Sequence, residues 1–342
     1  MASDHTHSST TFPTPARHLL VPFAFAAAPE CHELVNVMQV PHLNELLSSL
    51  RLSHEEIGQE EDASMPHERV LANALGLFPD AAMSQDVLAS IPWAAAMSDT
   101  PEAPQAWFTP CHFKVSMDRV QLLPTGLLAL DEESSRTLCA ALAPLCEEDG
   151  IVLSYESPLY WRASGEALRQ LGTVSLDRAC GRPMRPEMLN FERSGNAPGA
   201  RVIKRLQNEA QMLFHTLPIN DDRELHDLLP INGFWVSGAG CLNQPPQAAE
   251  IAPMVDESLR ETALRGDWAD WRSAWESLDS GPIADLLALH KSGTPVAITL
   301  CGERHARTWR SKLANPGRLA RIKAALTPGN KRLDLPHMLQ TL

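Results

Sequence analysis

Two short segments of related sequence carry residue types that could bind an anion. LPINDDR (Leu217–Arg223) and PINGFWVSGAG (Pro230–Gly240) each place an asparagine directly after Pro-Ile. An arginine such as Arg223 offers a planar fork of donors to a carboxylate or phosphate, and a Gly-x-Gly turn lets backbone amides approach an anion. An asparagine in a turn can equally bond its own backbone, and a lone Gly-x-Gly is usually a tight turn. The candidate ligand-binding residues of these segments are Asn220, Arg223, Asn232, Gly238 and Gly240.

A third candidate group follows the apolar segment TPVAITLCGE (residues 294–303), which predicts a buried strand. Arg304 and His305 come directly after it. Ligands of open α/β sheets gather at the carboxyl ends of the strands. We therefore add Arg304 and His305 to the candidate ligand-binding residues, as side chains that would close the site.

Several catalytic signatures are missing from the sequence. There is no GxxxxGK[ST] phosphate loop, no GxSxG nucleophile elbow and no HExxH zinc helix. A two-metal site would need several Asp, Glu or His side chains converging on strand ends, and no such set is evident. We expect no catalytic residue, no metal ligand and no cofactor.

The elements that must position these residues alternate between strands and helices. Residues 18–26 read as a buried strand, and residues 41–52, 67–77 and 200–215 as helices, with a solvated acidic loop over 54–66. Residues 107–164 have the order ββαββ, which is typical of a self-contained α+β unit. Trp268, Trp271 and Trp275 share one helical face, a pattern that favours core packing over a ligand platform. The pattern predicts an α/β layered core (18–104 and 200–342), an inserted α+β subdomain (105–199) and a disordered arm (1–17).

Composition restricts the partners and the compartment. The net charge of −13 disfavours nucleic acid and anionic membranes. The segment from Arg304 onward contains nine Lys and Arg residues and a single acidic residue, Asp334. This basic segment, with a helix predicted at 316–327, either neutralises the acidic body or reaches an acidic partner or RNA. Seven cysteines without a CxxC, and no apolar stretch long enough for a membrane, favour the cytoplasm.

The order of motifs between residues 107 and 240 resembles the archaeal-type cofactor-independent phosphoglycerate mutases of the alkaline-phosphatase-like superfamily. The resemblance rests on WFTPCHFKV with LLALDEESSRTL, LYWRAS, TVSLDRACGRPM, LPINDDR and PINGFWVSGAG. RLQNEAQMLFHTLPINDDRE and INGFWVSGAG are more closely similar to a bacterial Rpf-type (RpfE-like) group of regulatory proteins that also carry the name phosphoglycerate mutase. The resemblance implies an alkaline-phosphatase-like layered core.

The sequence also departs from the mutase pattern. Where the mutases end their first strand in a metal-binding Asp-Gly, this chain has Pro22-Phe23-Ala24, and their Pro-His-Asp segment corresponds to Leu176-Asp177-Arg178. Near the end of the chain, Glu303 and His305 are the only remnants of a strand followed by Asp-His.

We therefore expect a non-catalytic, metal-free relative with a regulatory role, which binds a small phosphorylated or carboxylate ligand or a protein partner. The alternative is a phosphoglycerate mutase or phosphatase-like enzyme with a reduced metal site. In that case the resemblance implies Asp177, His112, Glu303 and His305 as ligands.

Overall fold

The computed structural model describes residues 12–77, 90–117, 119–184, 191, 193–244, 251–312 and 334–342. Its strands, in chain order, are β1 (Arg17–Val21), β2 (Arg51–Ile57), β3 (Gln105–Cys111), β4 (Phe113–Val115), β5 (Val120–Leu122), β6 (Val152–Ser157), β7 (Tyr160–Ser164), β8 (Gly233–Gly240), β9 (Met254–Val255), β10 (Val296–Cys301) and β11 (His305–Arg310). The predicted disordered arm lies largely outside these ranges, and the predicted basic helix at 316–327 lies entirely outside them.

Several of the helices begin with proline, which suits the first helical turn because its missing N–H would have no helical acceptor there. The helices are α1 (Pro29–Val37), α2 (Pro41–Ser49), α3 (Pro66–Leu75), α4 (Trp93–Ala96), α5 (Glu132–Glu148), α6 (Leu176–Ala179), α7 (Ala197–His215), α8 (Pro218–Leu225), α9 (Ser258–Arg265), α10 (Trp268–Leu278), α11 (Ala284–Lys291) and α12 (Leu335–Gln340).

The chain divides into two units, of which the first comprises residues 1–58, 250–260 and 268–342. Its mixed sheet has the order β2-β11-β10-β1-β9, with β1 parallel to β9 and β10, and β11 antiparallel to both of its neighbours. Every residue of β10 is buried, and so are four of the five in β1. The two buried strands predicted from apolar runs are thus confirmed, and they form the centre of this sheet.

The tryptophan face of α10 packs into the core of the same unit. Trp271 and Trp275 are fully buried, and the indole of Trp271 donates to the carbonyl of Phe23 at 3.1 Å. The core-packing interpretation of this stripe is confirmed.

The acid-rich stretch after α2 differs from its prediction. Residues 51–57 form the edge strand β2, although 54–66 were expected to be a solvated loop. Each residue of β2 is at least partly exposed, and an edge strand of this kind tolerates charged side chains that a central strand would not.

The second unit comprises residues 59–249 and 261–267. Its antiparallel sheet has the order β6-β7-β3-β8. Helices α5 and α7 bury their apolar faces on it, through residues such as Leu138, Leu142, Ile203 and Phe214. The helix α5 and the hairpin β6–β7 confirm the second half of the predicted ββαββ order, whereas three strands, β3, β4 and β5, precede the helix in place of the predicted pair.

The unit boundaries differ from the predicted domain boundaries. Residues 200–244 were assigned to the larger core, yet β8 pairs with β3 along most of its length, so this segment completes the sheet of the second unit. An antiparallel partner can lie far away in sequence, and the composition of the segment does not reveal which strand it will join.

Candidate functional site

The two Pro-Ile-Asn segments bond to the backbone of neighbouring segments through their asparagine side chains. Asn220 accepts from the Ile231 N–H at 2.8 Å, and its amide donates to the carbonyls of Ile231 and Phe214, each at 2.8 Å. The Asn232 side chain bonds to both backbone groups of Phe113. Its oxygen accepts from the Phe113 N–H at 2.7 Å, and its nitrogen donates to the Phe113 carbonyl at 2.9 Å. Both amides therefore complete backbone hydrogen bonding that the strands alone do not supply.

Arg223 also contacts backbone carbonyls. The side chain is 4% exposed, its Nε donates to Leu229 O at 2.9 Å, and its Nη2 donates to Leu128 O. Burial lowers the pKa of the Arg223 guanidinium from its usual value, and the charge of Asp131 opposes that shift. The guanidinium thus links α8 to the loops at residues 128 and 229.

Gly238 and Gly240 lie in β8 and both have positive φ angles, 62° and 139°. A Cβ on Gly238 would lie 3.2 Å from the side chains of Trp107 and Trp93. At both positions the backbone has a conformation that residues with a Cβ rarely adopt, and the surroundings are closely packed, so glycine is required. All five candidate residues of these segments thus have a role in backbone bonding or packing, which is the alternative that the sequence left open. Their ligand-binding role stays a prediction.

Arg304 and His305 belong to the other unit, where Arg304 lies in the turn between β10 and β11 and His305 is the first residue of β11. Their backbone N–H groups both donate to Leu342 O, at 3.3 and 2.6 Å. His305 Nδ1 accepts from the Gly58 N–H at 3.3 Å, and the ring lines a cavity of about 280 Å³ together with Glu55, Arg307 and Thr341. Arg307 in turn donates to Glu55 and Thr341, each at 2.7 Å.

The residues named for a reduced metal site fall into three different environments. His112 Nδ1 bonds to Pro230 O at 2.8 Å, while Glu303 and His305 belong to the first unit. Asp177 instead lies with His67 and Glu68. In the part of the chain that the structure describes, this is the one group of three His, Cys, Asp or Glu side chains whose potential ligand atoms come together, all within 4.8 Å of one another.

The cluster of His67, Glu68 and Asp177 (the HED cluster) is built by the first turns of two helices. His67 and Glu68 follow Pro66 at the start of α3, and Asp177 lies in α6 behind its N-cap residue Ser175. His67 Nε2 lies 3.3 Å from Asp177 Oδ2, and these two residues are 8% and 4% exposed. Sequence analysis placed His67 in a helix but gave it no role, because its partner is distant in sequence.

Glu68 is fixed by groups on both sides. Its Oε2 accepts from the Met65 N–H at 2.6 Å, and the Ser175 hydroxyl bonds to the same carboxylate. Burial raises the pKa of Glu68, and the charge of Asp177 raises it further, whereas His67 and the two hydrogen bonds lower it. The carboxylate is therefore held in a fixed orientation at a partly exposed position.

Arg178, 2% exposed, lies beside the HED cluster and donates to Ser64 O at 3.1 Å. Burial lowers the pKa of this guanidinium to about 10, with Arg182 and Arg69 adding to the effect and Glu68 opposing it. Arg69 donates to the same carbonyl at 2.6 Å and pairs with Asp62 at 3.2 Å. The second unit therefore contains a partly buried polar network of acidic, basic and imidazole groups.

Comparison with known proteins gives distant likenesses only. No family model matches the chain, and no curated protein matches it in sequence. The chain is similar to the PH0037 protein of Pyrococcus horikoshii, with 12% identity, 88% of each chain covered and a TM-score of 0.43. It is also similar to a cofactor-independent phosphoglycerate mutase of Thermoplasma acidophilum, with 13% identity, 87% of this chain and 90% of that chain covered, and a TM-score of 0.32. The structural neighbours thus include such a mutase, but likenesses this remote carry no argument about activity.

Within the described ranges, no helix has both the length and the apolar character needed to cross a bilayer.

Proposed function

We propose that this chain is a regulatory protein of the Rpf-type kind, which binds a small phosphorylated or carboxylate ligand or a protein partner and does not catalyse phosphoryl transfer. In this proposal its core has the layered alkaline-phosphatase-like arrangement, and the protein works in a bacterial cytoplasm. The regulatory role and the layered core rest on the sequence resemblance, and the cytoplasmic location rests on the cysteine pattern and the lack of a long apolar stretch.

One observation carries the non-catalytic part of the proposal. Asn220, Arg223 and Asn232, which resemble the phosphate-facing residues of the mutases, direct their donors to backbone groups of the fold. A two-metal transfer also needs two cations about 3.5–4 Å apart, each with its own ligands. The described residues supply one group of three donors, which supports one cation and not a pair.

For a small anion, we propose that Arg304 and His305 make the direct contact, while Asn220, Arg223, Asn232, Gly238 and Gly240 maintain the framework of the second unit. Arg304 is exposed and His305 is half-buried beside the cavity at β2 and β11. A guanidinium and an imidazole are suited to phosphate or carboxylate oxygens.

Purified protein tests both parts of this proposal. We expect no interconversion of 2- and 3-phosphoglycerate and no phosphatase turnover, with or without added Mn²⁺ or Zn²⁺. We expect 3-phosphoglycerate, inorganic phosphate or citrate to raise the Tm of the wild type, and Arg304→Gln to lose that rise. Arg17→Gln, which removes an exposed arginine of the same unit, is the matched control and should keep it.

Mutase or phosphatase turnover in proportion to the protein concentration would contradict the proposal that the chain is not catalytic. A Tm rise that persists in Arg304→Gln but is lost in Arg223→Lys would move the contact to the Pro-Ile-Asn segments. No rise with any of the three anions would contradict the small-anion part.

The alternative function, a mutase or phosphatase-like enzyme with a reduced metal site, has one observation in its favour. Asp177, which the sequence named as a ligand of that site, lies with two further donors, His67 and Glu68. Metal-dependent turnover that disappears in Asp177→Asn would support this alternative.

A further inference from the structure

The HED cluster gathers three metal-binding side chains at the separations that one cation requires. Zinc-type bonds of about 2.0–2.2 Å place the ligands of a tetrahedral site about 3.3–3.5 Å apart. His67 Nε2 and Asp177 Oδ2 lie 3.3 Å apart, and all three potential ligand atoms lie within 4.8 Å of one another. A direct charge-assisted hydrogen bond would be shorter, at about 2.7–2.9 Å.

Hydrogen bonds from neighbouring groups orient the Glu68 side chain of the HED cluster, as is usual for metal ligands. Glu68 accepts from the Met65 N–H and the Ser175 hydroxyl, which fix its carboxylate, and Ser175 Oγ itself accepts from the Arg178 N–H at 3.3 Å. Ligating carboxylates in proteins are usually held by such outer hydrogen bonds. His67 and Glu68 are adjacent in the first turn of α3, so a common backbone fixes two of the three donors.

Charge favours a dication at this place. Glu68 is partly exposed and Asp177 is buried, and the two carboxylates lie close enough together for their like charges to repel each other. Arg178, with Arg69 and Arg182 near it, compensates part of this negative charge, although both Arg178 and Arg69 donate to the Ser64 carbonyl. A divalent cation between the two carboxylates would compensate both negative charges. Because positively charged guanidinium groups lie nearby, the site should bind the cation less tightly than a site with thiolate ligands would.

We propose that His67, Glu68 and Asp177 bind one divalent transition-metal cation, Zn²⁺ or Mn²⁺, with an imidazole nitrogen and two carboxylate oxygens as ligands. An imidazole ligand selects against Mg²⁺ and Ca²⁺, which prefer oxygen alone. This departs from the expectation of no metal ligand. The inference goes beyond the proposed function and is independent of turnover, because one cation can stabilise or regulate a protein without catalysis.

The test measures binding directly on the full chain after removal of metal with a chelator. Titration calorimetry with ZnCl₂ and with MnCl₂ should give one cation per chain for at least one of them, and MgCl₂ should give none. His67→Gln and Asp177→Asn should each lower the affinity at least about 100-fold. Ser175→Ala removes only an outer hydrogen bond and should lower it about 10–100-fold.

The matched control is His226→Gln, which removes an exposed histidine of the same unit and should leave the stoichiometry and affinity unchanged. A second measurement needs no variant and therefore covers the case of a substitution that prevents folding. Wild-type chain loaded with Co²⁺ should show paramagnetically shifted proton resonances from one histidine ring. No binding by the wild type, unchanged binding by Asp177→Asn, or a number of shifted histidine rings other than one would each overturn the site and leave the cluster as an ion-pair network.

Discussion

The side-chain amide of Asn220 bonds to both backbone groups of Ile231. Its oxygen accepts from the Ile231 N–H and its nitrogen donates to the Ile231 carbonyl, each at 2.8 Å. Because Ile231 is fully buried, water cannot replace either bond. The amide therefore acts as one residue of an adjacent strand would act.

Asn232, the second asparagine of the repeated Pro-Ile-Asn, bonds to Phe113 with the same two-point geometry. The repeat thus has a shared structural use, which is to pair each asparagine amide with one residue of a neighbouring segment. This explains the recurrence of the motif without a ligand.

The first prediction concerns Asn220→Ala. The substitution leaves the buried N–H and carbonyl of Ile231 without their side-chain partner, whereas the Phe214 carbonyl keeps the Leu217 N–H. An unsatisfied buried polar group costs about 1–3 kcal/mol. We expect the free energy of unfolding of the second unit to fall by about 3 kcal/mol in urea denaturation.

Asn208→Ala is the control, since it removes an exposed asparagine from α7 of the same unit. A loss below about 0.5 kcal/mol in Asn220→Ala, the range usual for surface substitutions, would contradict the structural role of the amide.

The second prediction concerns Arg223→Lys. Lysine keeps the positive charge but has one nitrogen, so it cannot donate to Leu229 O and Leu128 O in the planar geometry of the guanidinium. We expect thermal unfolding to begin at a lower temperature, with a loss of about 2 kcal/mol in the free energy of unfolding. Arg201→Lys, at an exposed position of α7, is the matched control; equal stability of the two variants would show that charge alone is needed at residue 223.

Local pattern predicted much of the fold. The buried strands β1 and β10, the helix α10 with its tryptophan face and the hairpin β6–β7 each have a signal within a dozen residues. The pairing of β8 with β3 has no such signal, because an antiparallel partner is selected by packing across the whole unit. The predicted domain boundaries differ from the observed units for that reason.

The candidate site was less accessible to sequence analysis. Asp177 could be named from the resemblance, but its neighbours His67 and Glu68 come from a helix in another part of the chain. No spacing rule connects the Pro-His-Glu start of α3 with the Leu-Asp-Arg sequence of α6. The burial of the Asn220 and Arg223 side chains could not be predicted from the sequence either. Asparagine and arginine can bind a ligand at the surface or donate to backbone carbonyls inside the protein, and the sequence pattern is the same in both cases.

The third prediction separates backbone strain from packing in β8. Gly238→Ala places a Cβ 3.2 Å from Trp107 and Trp93 at a φ of 62°. Gly150 has a similar φ of 70° but open space around the position of a Cβ. We expect Gly150→Ala to cost about 1 kcal/mol from the left-handed backbone alone, and Gly238→Ala to cost about 2–3 kcal/mol. Urea denaturation of the two variants checks the difference, and equal losses would mean that the two tryptophans move aside without cost.

The last prediction concerns the start of α5. Asp131 is the N-cap residue, and its carboxylate accepts from the Ser134 N–H and hydroxyl, each at 2.8 Å. Asp131→Ala should therefore cost about 1 kcal/mol, the usual value of an N-cap side chain. Asp131→Asn keeps an acceptor for the N–H and should cost less.

The same contact makes stability depend on pH with a definite sign. The Ser134 N–H, followed by its hydroxyl, lowers the pKa of Asp131 below that of a free aspartate. The unfolded chain then binds this proton more readily than the folded chain, so the stabilisation is complete above about pH 4 and is lost as the pH falls through the lower folded pKa. In Asp131→Asn this part of the acid dependence should be missing when urea denaturation is compared at pH 5 and pH 3. An acid dependence identical to that of the wild type would mean that Asp131 does not retain its charge-assisted cap in solution.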